Sequence, residues 1–244
     1  MINNNHFEEL NHLLKEQVNQ AERVDDIYVY QYAEFLARIE NAIVIVSDLS
    51  KGKSRFFTGE FAKRIGIETY SSENSIWEEE ILALLPLEGQ DEKFISELRF
   101  FHYLQRIPKN KRHEFFLMSK LRLKNSIDIL HRMYYIYDVE MEKVLYAVCI
   151  YSPLIFDFTG KSFIVNSTTG IKDELTSASN DTIISKRQRQ ILQLIASGKT
   201  SMEIAKALNI SKNTVSRHRQ EILAKLHVRN SIDACGIARS MGII

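Results

Sequence analysis

The sequence predicts an α+β domain followed by an all-α domain of four helices. Three strand-like segments follow one another between Glu114 and Tyr151, which indicates an antiparallel sheet. Near the end of the chain, two helices are joined by a tight turn and the second has a polar outer face. The two parts also differ in charge, because residues 184–244 hold 11 Lys/Arg and 3 Asp/Glu, whereas the rest holds 21 and 28.

The composition is that of an ordinary globular protein. Of the 244 residues, 45% are hydrophobic and 26% are charged, both close to the usual values. Cys149 and Cys235 are the only cysteines, and with one in each predicted domain they favour a reducing cytoplasm over a disulfide framework. The sequence shows neither a signal peptide nor an apolar run of about 20 residues, so we expect a cytoplasmic protein without a membrane span.

The N-terminal segment, residues 1–40, is predicted to be helical. Its apolar residues recur at spacings of three and four: Phe7, Leu10, Leu14, Val18, Ala21 and Val24. Two alternatives stay open, a helix packed on its own domain or a short coiled-coil contact between subunits. A second helix restarts at Asp25-Asp26, and its apolar contacts are expected from Ile27, Ala33, Phe35, Leu36 and Ile39.

The next segment, residues 41–172, is predicted to form the α+β domain. The β-branched run within Asn41–Ser47 is typical of a buried strand, and Arg55–Phe57 suits a second one. Helices are expected at 59–65, 75–85 and 91–105, followed by strands at 115–123, 127–137 and 144–151. An additional hairpin is expected over 156–171, turning near Thr169-Gly170. Residues 173–183 are rich in Ser, Thr, Asn and Asp and are predicted to be a linker.

Four helices are predicted in residues 184–244. The first covers Lys186–Ser197 and ends at Gly198, and the second begins with the capping-box pair Thr200 and Glu203. The third helix follows the N-cap Ser211, and its apolar stripe consists of Val215, His218, Ile222 and Leu226. The fourth is expected from a cap at Ser231 to Met241, with an inward stripe of Ala234, Ile237, Ala238 and Met241.

The C-terminal residues resemble the LuxR/GerE type of four-helix DNA-binding domain. The resemblance covers about 60 residues and rests on many positions at fixed spacing: Ser185–Leu192, Ala196–Thr200, Glu203–Ala205, Ile210-Ser211, Thr214-Val215, His218, Ile222, Lys225–Val228 and Gly242–Ile244. One departure is that Gln188 and Gln190 stand where the family usually has acidic residues. Any ion pair that the acidic residues make in relatives is therefore absent from this chain.

A helical wheel of the third helix predicts which residues read DNA. Asn213, Ser216, Arg217 and Gln220 lie opposite the apolar stripe, and Arg217 is the strongest candidate for a guanine contact. Phosphate contacts are expected from Lys199, Thr200, Ser201, Thr214, His218 and Lys225. For His218, which also lies on the apolar stripe, a packing role stays an equal alternative. The resemblance implies dimerisation through the fourth helix, where Ile232, Cys235 and Arg239 are expected to face a partner.

The order of elements over Asn41–Pro153 resembles a PAS sensor domain. Two strands, short helices, one long helix and a three-stranded meander follow in that order, although no residue signature accompanies it. The resemblance implies an antiparallel sheet with helices on one face and leaves open an unidentified small ligand beneath them. A phosphate-accepting receiver domain is disfavoured, because three adjacent late strands contradict its alternation of strands and helices.

Other site types find little support in the sequence. His102, His113 and His131 are scattered without the paired spacing of a zinc site, Cys149 lies in an apolar strand, and no flavin motif occurs. The sequence therefore predicts no metal site or cofactor. Neither a hydrolase triad nor a glycine-rich phosphate loop is present, so we expect no enzyme.

These observations predict a transcriptional regulator that binds double-stranded DNA as a homodimer, with RNA polymerase left open as a further partner. The alternative is a module that uses the helix-turn-helix to bind another protein.

Overall fold

The computed structural model describes residues 10, 14, 26–69, 71–138, 143–175, 184–226, 228, 230–240 and 243–244. The N-terminal part of this set is an α+β unit around one antiparallel sheet, and residues 184–244 are helical, as the sequence predicts. Within the described ranges, no helix has the length and apolar character needed to cross a membrane.

The elements of the N-terminal part follow the predicted order. They are α1 (Asp26–Ile39), β1 (Ile43–Asp48), β2 (Lys53–Thr58), α2 (Phe61–Ile65), β3 (Ser72–Glu73), α3 (Glu79–Leu84), α4 (Leu87–Gln105), a 3₁₀ helix (Lys109–Glu114), β4 (Phe115–Arg122), β5 (Asp128–Tyr137), β6 (Val144–Pro153), β7 (Ser162–Asn166) and β8 (Lys172–Glu174). The strands form one sheet in the order β3-β2-β1-β6-β5-β4-β7-β8, and every neighbouring pair is antiparallel.

Strand β1 is buried on both faces because helices cover both sides of the sheet. Ile43 and Ile45 belong to the same apolar cluster as Phe94 of α4, whereas Val44 packs with Val29 of α1 on the other face. Alternate side chains of a strand point to opposite faces, so a strand between two helical layers is apolar at every position. The uninterrupted Ile-Val-Ile-Val run is the sequence signal of this arrangement.

Helix α4 packs its predicted inward residues against the sheet. Phe94, Leu98, Phe101 and Leu104 are at most 2% exposed. The helix begins at Leu87, four residues before the predicted start, directly after Pro86. Proline is well tolerated at a helix N-terminus because the first backbone N–H groups have no partner within the helix.

Two expectations for α1 are wrong. Phe35 and Ile39 were expected to make apolar contacts, but each is 64% exposed, because Val29, Ala33 and Ala37 form the face on the sheet instead. Among the residues of the preceding predicted helix, Leu10 and Leu14 are buried, whereas Phe7, Val18, Ala21 and Val24 lie outside the described residues. The choice between an intrachain helix and a coiled coil therefore stays open.

The additional hairpin exists but is shorter than expected. Only Ser162–Asn166 and Lys172–Glu174 are strands, and β7 pairs with β4 so that it covers that edge of the sheet. The predicted linker started at Asp173, but Asp173 pairs with Ile164 within the sheet. The backbone hydrogen bonds of the ladder thus extend to Glu174, and residues 176–183 of the linker lie outside the described residues.

The C-terminal part has the four predicted helices, α5 (Lys186–Ala196), α6 (Ser201–Leu208), α7 (Lys212–Leu226) and α8 (Ser231–Ser240). Their apolar stripes form the core, which includes Ile191, Leu192, Ile204, Val215, Ile222, Leu226, Ala234 and Ala238. Gly198 follows α5 with a φ of 77°, the left-handed conformation expected of a residue just beyond a helix. Ile237 and Met241 of the predicted α8 stripe are outside the side chains that the structure describes.

The cap of α8 differs from the prediction. Asn230 caps this helix, because its Oδ1 accepts hydrogen bonds from the backbone N–H groups of Ile232 and Asp233, both at 2.9 Å. Ser231, the predicted cap, is instead the first residue of the helix. Asparagine and serine are comparable N-caps, so the sequence Asn230-Ser231 alone does not separate the two.

Candidate nucleic-acid interface

Helices α6 and α7 form the candidate interface, and side-chain hydrogen bonds define both of their starts. Thr200 accepts a hydrogen bond from the backbone N–H of Glu203 at 3.3 Å, and Glu203 accepts one from the backbone N–H of Thr200 at 2.8 Å. The Ser211 hydroxyl accepts from the backbone N–H of Thr214 at 3.0 Å. Between the helices, Asn209 adopts a φ of 50°, a left-handed conformation that asparagine tolerates better than most residues.

One side of α7 is anchored in the core and the opposite side is free. Val215, Ile222 and Leu226 are at most 1% exposed, and they fix the rotation of the helix about its axis. The four residues predicted to read bases are all exposed on the remaining surface: Asn213, Ser216, Arg217 and Gln220. Their contact with bases stays a prediction.

Arg217 is held only loosely. Its Nε lies 3.6 Å from Oε1 of Glu221, and the two side chains are 69% and 42% exposed. An ion pair this exposed contributes little, typically below about 1 kcal/mol. The guanidinium can therefore leave Glu221 for an acceptor outside the protein at small cost.

The six residues predicted to contact phosphates differ in how their donors are used. Lys199 is exposed, and its Nζ is 3.7 Å from Glu203. Both donors of Thr200 point to Glu203 instead, since its hydroxyl also donates to Oε2 at 2.9 Å. Thr200 would have to release Glu203 before it bound a phosphate.

Ser201 keeps a donor for an external group. Nη1 of Arg219 donates to the Ser201 hydroxyl oxygen at 2.9 Å, and a hydroxyl that accepts one hydrogen bond still has its own proton to donate. The other guanidinium nitrogen, Nη2, donates to the Ser231 hydroxyl at 2.8 Å. Arg219 thus joins the first residues of α6 and α8 to the middle of α7. The helical wheel of α7 does not predict this role, because the partners of Arg219 lie on two other helices.

The remaining three phosphate candidates make contacts within the domain. Thr214 is half-buried and its hydroxyl pairs with that of Ser211 at 2.9 Å. The side chain of His218 is only 17% exposed, and its Nδ1 lies 3.2 Å from Oε2 of Glu221. His218 thus packs on the apolar side of α7 and also makes a polar contact. Lys225 donates to Oε1 of Gln188 at 2.8 Å.

Gln188 lies at the centre of a polar network that links α5 to α7. Its side chain completes a capping box with Ser185, donates from Nε2 to Glu221 at 3.0 Å and accepts from Lys225. It is 3% exposed. Where the family usually has an acidic residue, the uncharged amide of Gln188 therefore makes the contacts with Glu221 and Lys225.

Glu221 is ionised more readily than an ordinary glutamate. Desolvation would raise its pKa, but hydrogen bonds from Gln188 and His218, together with the nearby charge of Arg217, outweigh desolvation and lower the pKa. The pKa of Glu203 is also lowered, first by the backbone and side-chain hydrogen bonds from Thr200. Both carboxylates orient cationic or donor groups on the same pair of helices.

Helix α8 presents two of the three residues predicted for dimerisation. Ile232 is 84% exposed, and Arg239 is exposed with Nη2 3.4 Å from the carbonyl of Ala196. The prediction that Cys235 faces a partner is wrong. Cys235 is buried and its thiol lies 3.9 Å from the carbonyl oxygen of Leu192 on α5, so α8 is rotated such that this residue packs into the domain.

Comparison with known proteins identifies the helical part. Residues 182–238 match the family model described as bacterial regulatory proteins, luxR family. Among curated proteins, the chain is 45% identical over 65 residues to the uncharacterized response regulatory protein YgeK of Escherichia coli K12, which covers 27% of this chain and 44% of YgeK. It is 42% identical over 60 residues to the regulatory protein SdiA of the same strain, covering 25% of each chain.

A search of solved structures aligns most of the chain, but loosely. The phage VqmA–DPO complex aligns with 90% of this chain and 91% of its own, at 14% identity and a TM-score of 0.34. Agreement at this level supports no conclusion about this chain. The chain spans less than half of the length of the two curated relatives, and what it shares with them is confined to the C-terminal helices. The similarity to the bacterial luxR family is therefore confined to residues 182–238, which include the helix-turn-helix.

Proposed function

We propose that this chain is a transcriptional regulator whose α6–α7 pair binds double-stranded DNA in a sequence-specific manner. The observation that carries the proposal is the exposed face of α7, on which Ser216, Arg217 and Gln220 lie opposite an anchored apolar stripe. Such side chains pair with base edges in the major groove. The net charge of residues 184–244 suits the phosphate backbone.

The test begins with selection of binding sequences from a randomised DNA library by the purified full-length chain. A recovered operator is then titrated between about 50 and 200 mM salt, where about six phosphate contacts predict a loss of roughly 10³ in affinity. A selection that enriches no sequence, combined with affinity that does not depend on salt, would refute the proposal. It would favour the alternative, a helix-turn-helix that binds another protein.

We further propose that the operator is read by a homodimer in the cytoplasm, with Ile232 and Arg239 of α8 at the contact. The exposure of Ile232 supports this surface, and two-fold symmetric regulators read two related half-sites. RNA polymerase is a further partner that such a regulator contacts when it activates transcription. A selected operator without two-fold related half-sites would contradict the dimer.

The N-terminal part is proposed to be a PAS-like sensor or dimerisation domain over residues 41–174. Its support is the antiparallel sheet with α2, α3 and α4 between the second and fourth strands. Its acidic charge beside a basic domain suggests that it controls the exposure or dimerisation of the helix-turn-helix. The test compares the full chain with a folded 184–244 fragment. Equal operator affinity and equal oligomeric state would rule out this control.

A further inference from the structure

A group of ionisable side chains lies buried between helix α4 and the sheet. Lys93 and Glu97 come from α4, His131 from β5, Cys149 from β6, and Glu78 precedes α3. Each of the five is at most 3% exposed. Charged residues are rarely buried to this extent unless they are paired or bind a metal ion.

The charges in this cluster do not balance. The Nζ atom of Lys93 lies 2.6 Å from a carboxylate oxygen of Glu97 and 3.1 Å from one of Glu78. One ammonium thus faces two carboxylates, which leaves one excess negative charge unless a carboxyl binds a proton. The hydroxyl of Tyr151 donates to Glu78, which eases the imbalance without adding a positive charge. Desolvation accordingly raises the pKa of Glu97.

The two ring nitrogens of His131 form no hydrogen bond with the other residues of the cluster. Among the residues that the structure describes, neither of its ring nitrogens has a hydrogen-bond partner, although the residue is fully buried. Burial, together with the charges of Lys93 and Arg132, holds the pKa of His131 well below its ordinary value, so the ring is neutral. Its ring lies against that of Tyr151 at a centroid distance of 4.8 Å, which fixes the orientation of the imidazole. A neutral, oriented and unpartnered imidazole is the form in which histidine binds metals.

We propose that Glu97, His131 and Cys149 bind a divalent metal ion of the zinc type. One carboxylate oxygen, one imidazole nitrogen and the thiol sulfur all lie within 4.8 Å of one another. Binding forms a metal–sulfur bond and releases to solvent the thiol proton of Cys149, together with the proton of Glu97 where that carboxyl holds one. The two carboxylates, the thiolate, the Lys93 ammonium and the divalent ion then sum to zero charge, and the lone pair of His131 gains a partner.

The donor set selects the metal class. A mixture of sulfur, imidazole nitrogen and carboxylate oxygen is typical of Zn²⁺, whereas Mg²⁺ and Ca²⁺ prefer oxygen alone. Around tetrahedral zinc, ligand atoms lie about 3.3–3.8 Å apart. Nε2 of His131 is already 3.9 Å from Oε1 of Glu97, so binding requires the ligand atoms to close by at most about 1 Å. Three protein ligands leave the fourth position open, and Lys93 keeps its ion pair with Glu78.

The sequence does not indicate this site, because its ligands come from three separate elements. Zinc motifs are recognised by paired ligands at short spacing, whereas Glu97, His131 and Cys149 are spread over more than 50 positions. The register of the sheet brings β5 and β6 together, with Met133 opposite Cys149 and His131 opposite Tyr151. Only the packing of α4 on this face adds the carboxylate.

The test uses the full-length chain after removal of metal by a chelator, titrated with Co²⁺ as a spectroscopic substitute for Zn²⁺. We expect one Co²⁺ per chain, visible d–d bands of tetrahedral intensity and a thiolate-to-cobalt charge-transfer band in the near ultraviolet, all lost when Zn²⁺ is added. Cys149→Ser should remove the charge-transfer band, whereas the matched control Cys235→Ser should retain it. Absence of binding, or an unchanged band in Cys149→Ser, would overturn the proposal.

A second measurement separates loss of the site from loss of the fold. Zn²⁺ should raise the Tm of the wild-type chain and of Cys235→Ser, because a ligand that binds only the folded state stabilises it. In His131→Gln, which retains a polar side chain, the Zn²⁺-dependent shift should disappear while the far-ultraviolet circular dichroism stays native. A shift of equal size in this variant would show that the metal binds elsewhere.

Discussion

The amide nitrogen of Gln188 donates a hydrogen bond to Oε2 of Glu221 at 3.0 Å, which joins the start of α5 to the middle of α7. The same carboxylate oxygen lies 3.2 Å from Nδ1 of His218, and the opposite side of the amide accepts a hydrogen bond from Lys225. An amide offers a donor and an acceptor at once. Gln188 therefore forms hydrogen bonds with both an acidic and a basic residue. A carboxylate at the same position could accept from Lys225 but could not donate to Glu221.

Replacement of Gln188 by alanine should destabilise the C-terminal domain by about 1–3 kcal/mol. The substitution removes a buried side chain that satisfies the cap of α5 and two partners on α7, and buried polar groups left without partners are costly. Chemical denaturation of the full chain measures the change. Gln190→Ala is the matched control, since this glutamine lies on the same helix but is exposed; an equal loss in both variants would contradict the role of the network.

Replacement of Gln188 by glutamate tests the charge of the bridge. The variant should keep the capping box and pair with Lys225. Its new carboxylate, however, replaces the amide beside Glu221, so two carboxylates then lie next to each other. Like charges raise the pKa of one carboxyl of such a pair. Because a raised pKa favours the folded state at low pH, Gln188→Glu should be less stable than wild type at pH 8 and should recover as the pH falls toward 5. A stability difference that is independent of pH would exclude this repulsion.

Arg217→Ala should relax the choice of base at one operator position without affecting the fold. Loss of an arginine contact to guanine corresponds to about 1–3 kcal/mol of discrimination, and within the described part of the chain the exposed side chain makes a single loose ion pair, with Glu221. Titrations against all four bases at each operator position measure the effect. An unchanged specificity profile would show that Arg217 does not read a base, and Arg38→Ala, an exposed arginine of α1, controls for the loss of charge.

Arg219→Ala should have the opposite pattern. Arg219 lies only two residues from Arg217, but its two nitrogens donate to Ser201 and Ser231. Removing it should lower the free energy of unfolding by about 1–2 kcal/mol and weaken binding to all DNA sequences alike, because Ser201 loses the group that orients its hydroxyl. Arg217→Ala serves as the control, because it removes the same charge from the same helix. Equal stability of the two variants would show that the contacts of Arg219 contribute nothing.

The contrast between these two arginines shows how far the sequence predicts the site. The helical wheel identified the exposed face of α7 because Val215, Ile222 and Leu226 define the buried one by spacing alone. It did not show the partners of Arg219, which come from the starts of two other helices, or those of Gln188. Cys235 was placed on the wrong side for a related reason. Ala234 and Ala238 of the predicted stripe are buried, but the neighbouring Cys235 is buried as well, so the buried face of α8 is wider than the stripe that spacing predicts.

The same limit applies to the N-terminal part. Local patterns located the strands, the long helix and its inward residues, because each depends on a period within one element. Phe35 and Ile39 are expected to make apolar contacts together with Ala33, but only Ala33 of these three is buried. The small Ala33 and Ala37 let α1 approach the sheet and turn the larger side chains outward. Helix α1 has apolar residues on two of its sides. Which side is buried depends on the surface that the helix packs against, and the sequence of the helix alone does not determine that surface.

Glu73 should make the stability of the N-terminal domain depend on pH. Desolvation raises its pKa to about 7, against the opposing hydrogen bonds from the backbone of Glu78 and Glu79. The folded state therefore retains a proton that the unfolded state has lost above about pH 4.5. This contribution to stability is complete below about pH 4.5 and is lost as the pH rises through about 7, with a slope of at most about 1.4 kcal/mol per pH unit.

Glu73→Gln should remove this part of the pH dependence. Glutamine keeps an oxygen that accepts the backbone hydrogen bond of Glu79, which Glu73 accepts at 3.0 Å, so the start of α3 stays capped. Thermal unfolding of the full chain between pH 5 and 8 measures the difference, with exposed Glu88→Gln as the control. If the wild-type and Glu73→Gln curves are parallel over this range, Glu73 titrates as an ordinary carboxyl.

Ile232→Asp should weaken operator binding through the loss of dimer contact. Ile232 is 84% exposed, so the substitution leaves the core of the domain intact and should shift Tm by little. An aspartate at a two-fold contact faces its own copy, and desolvation of two like charges opposes association. Affinity for an operator with two half-sites should fall by at least about tenfold, whereas affinity for a single half-site should be unchanged. Equal losses on both DNA molecules would place Ile232 at the DNA contact instead of the dimer contact, and no loss on either would remove α8 from the proposed interface.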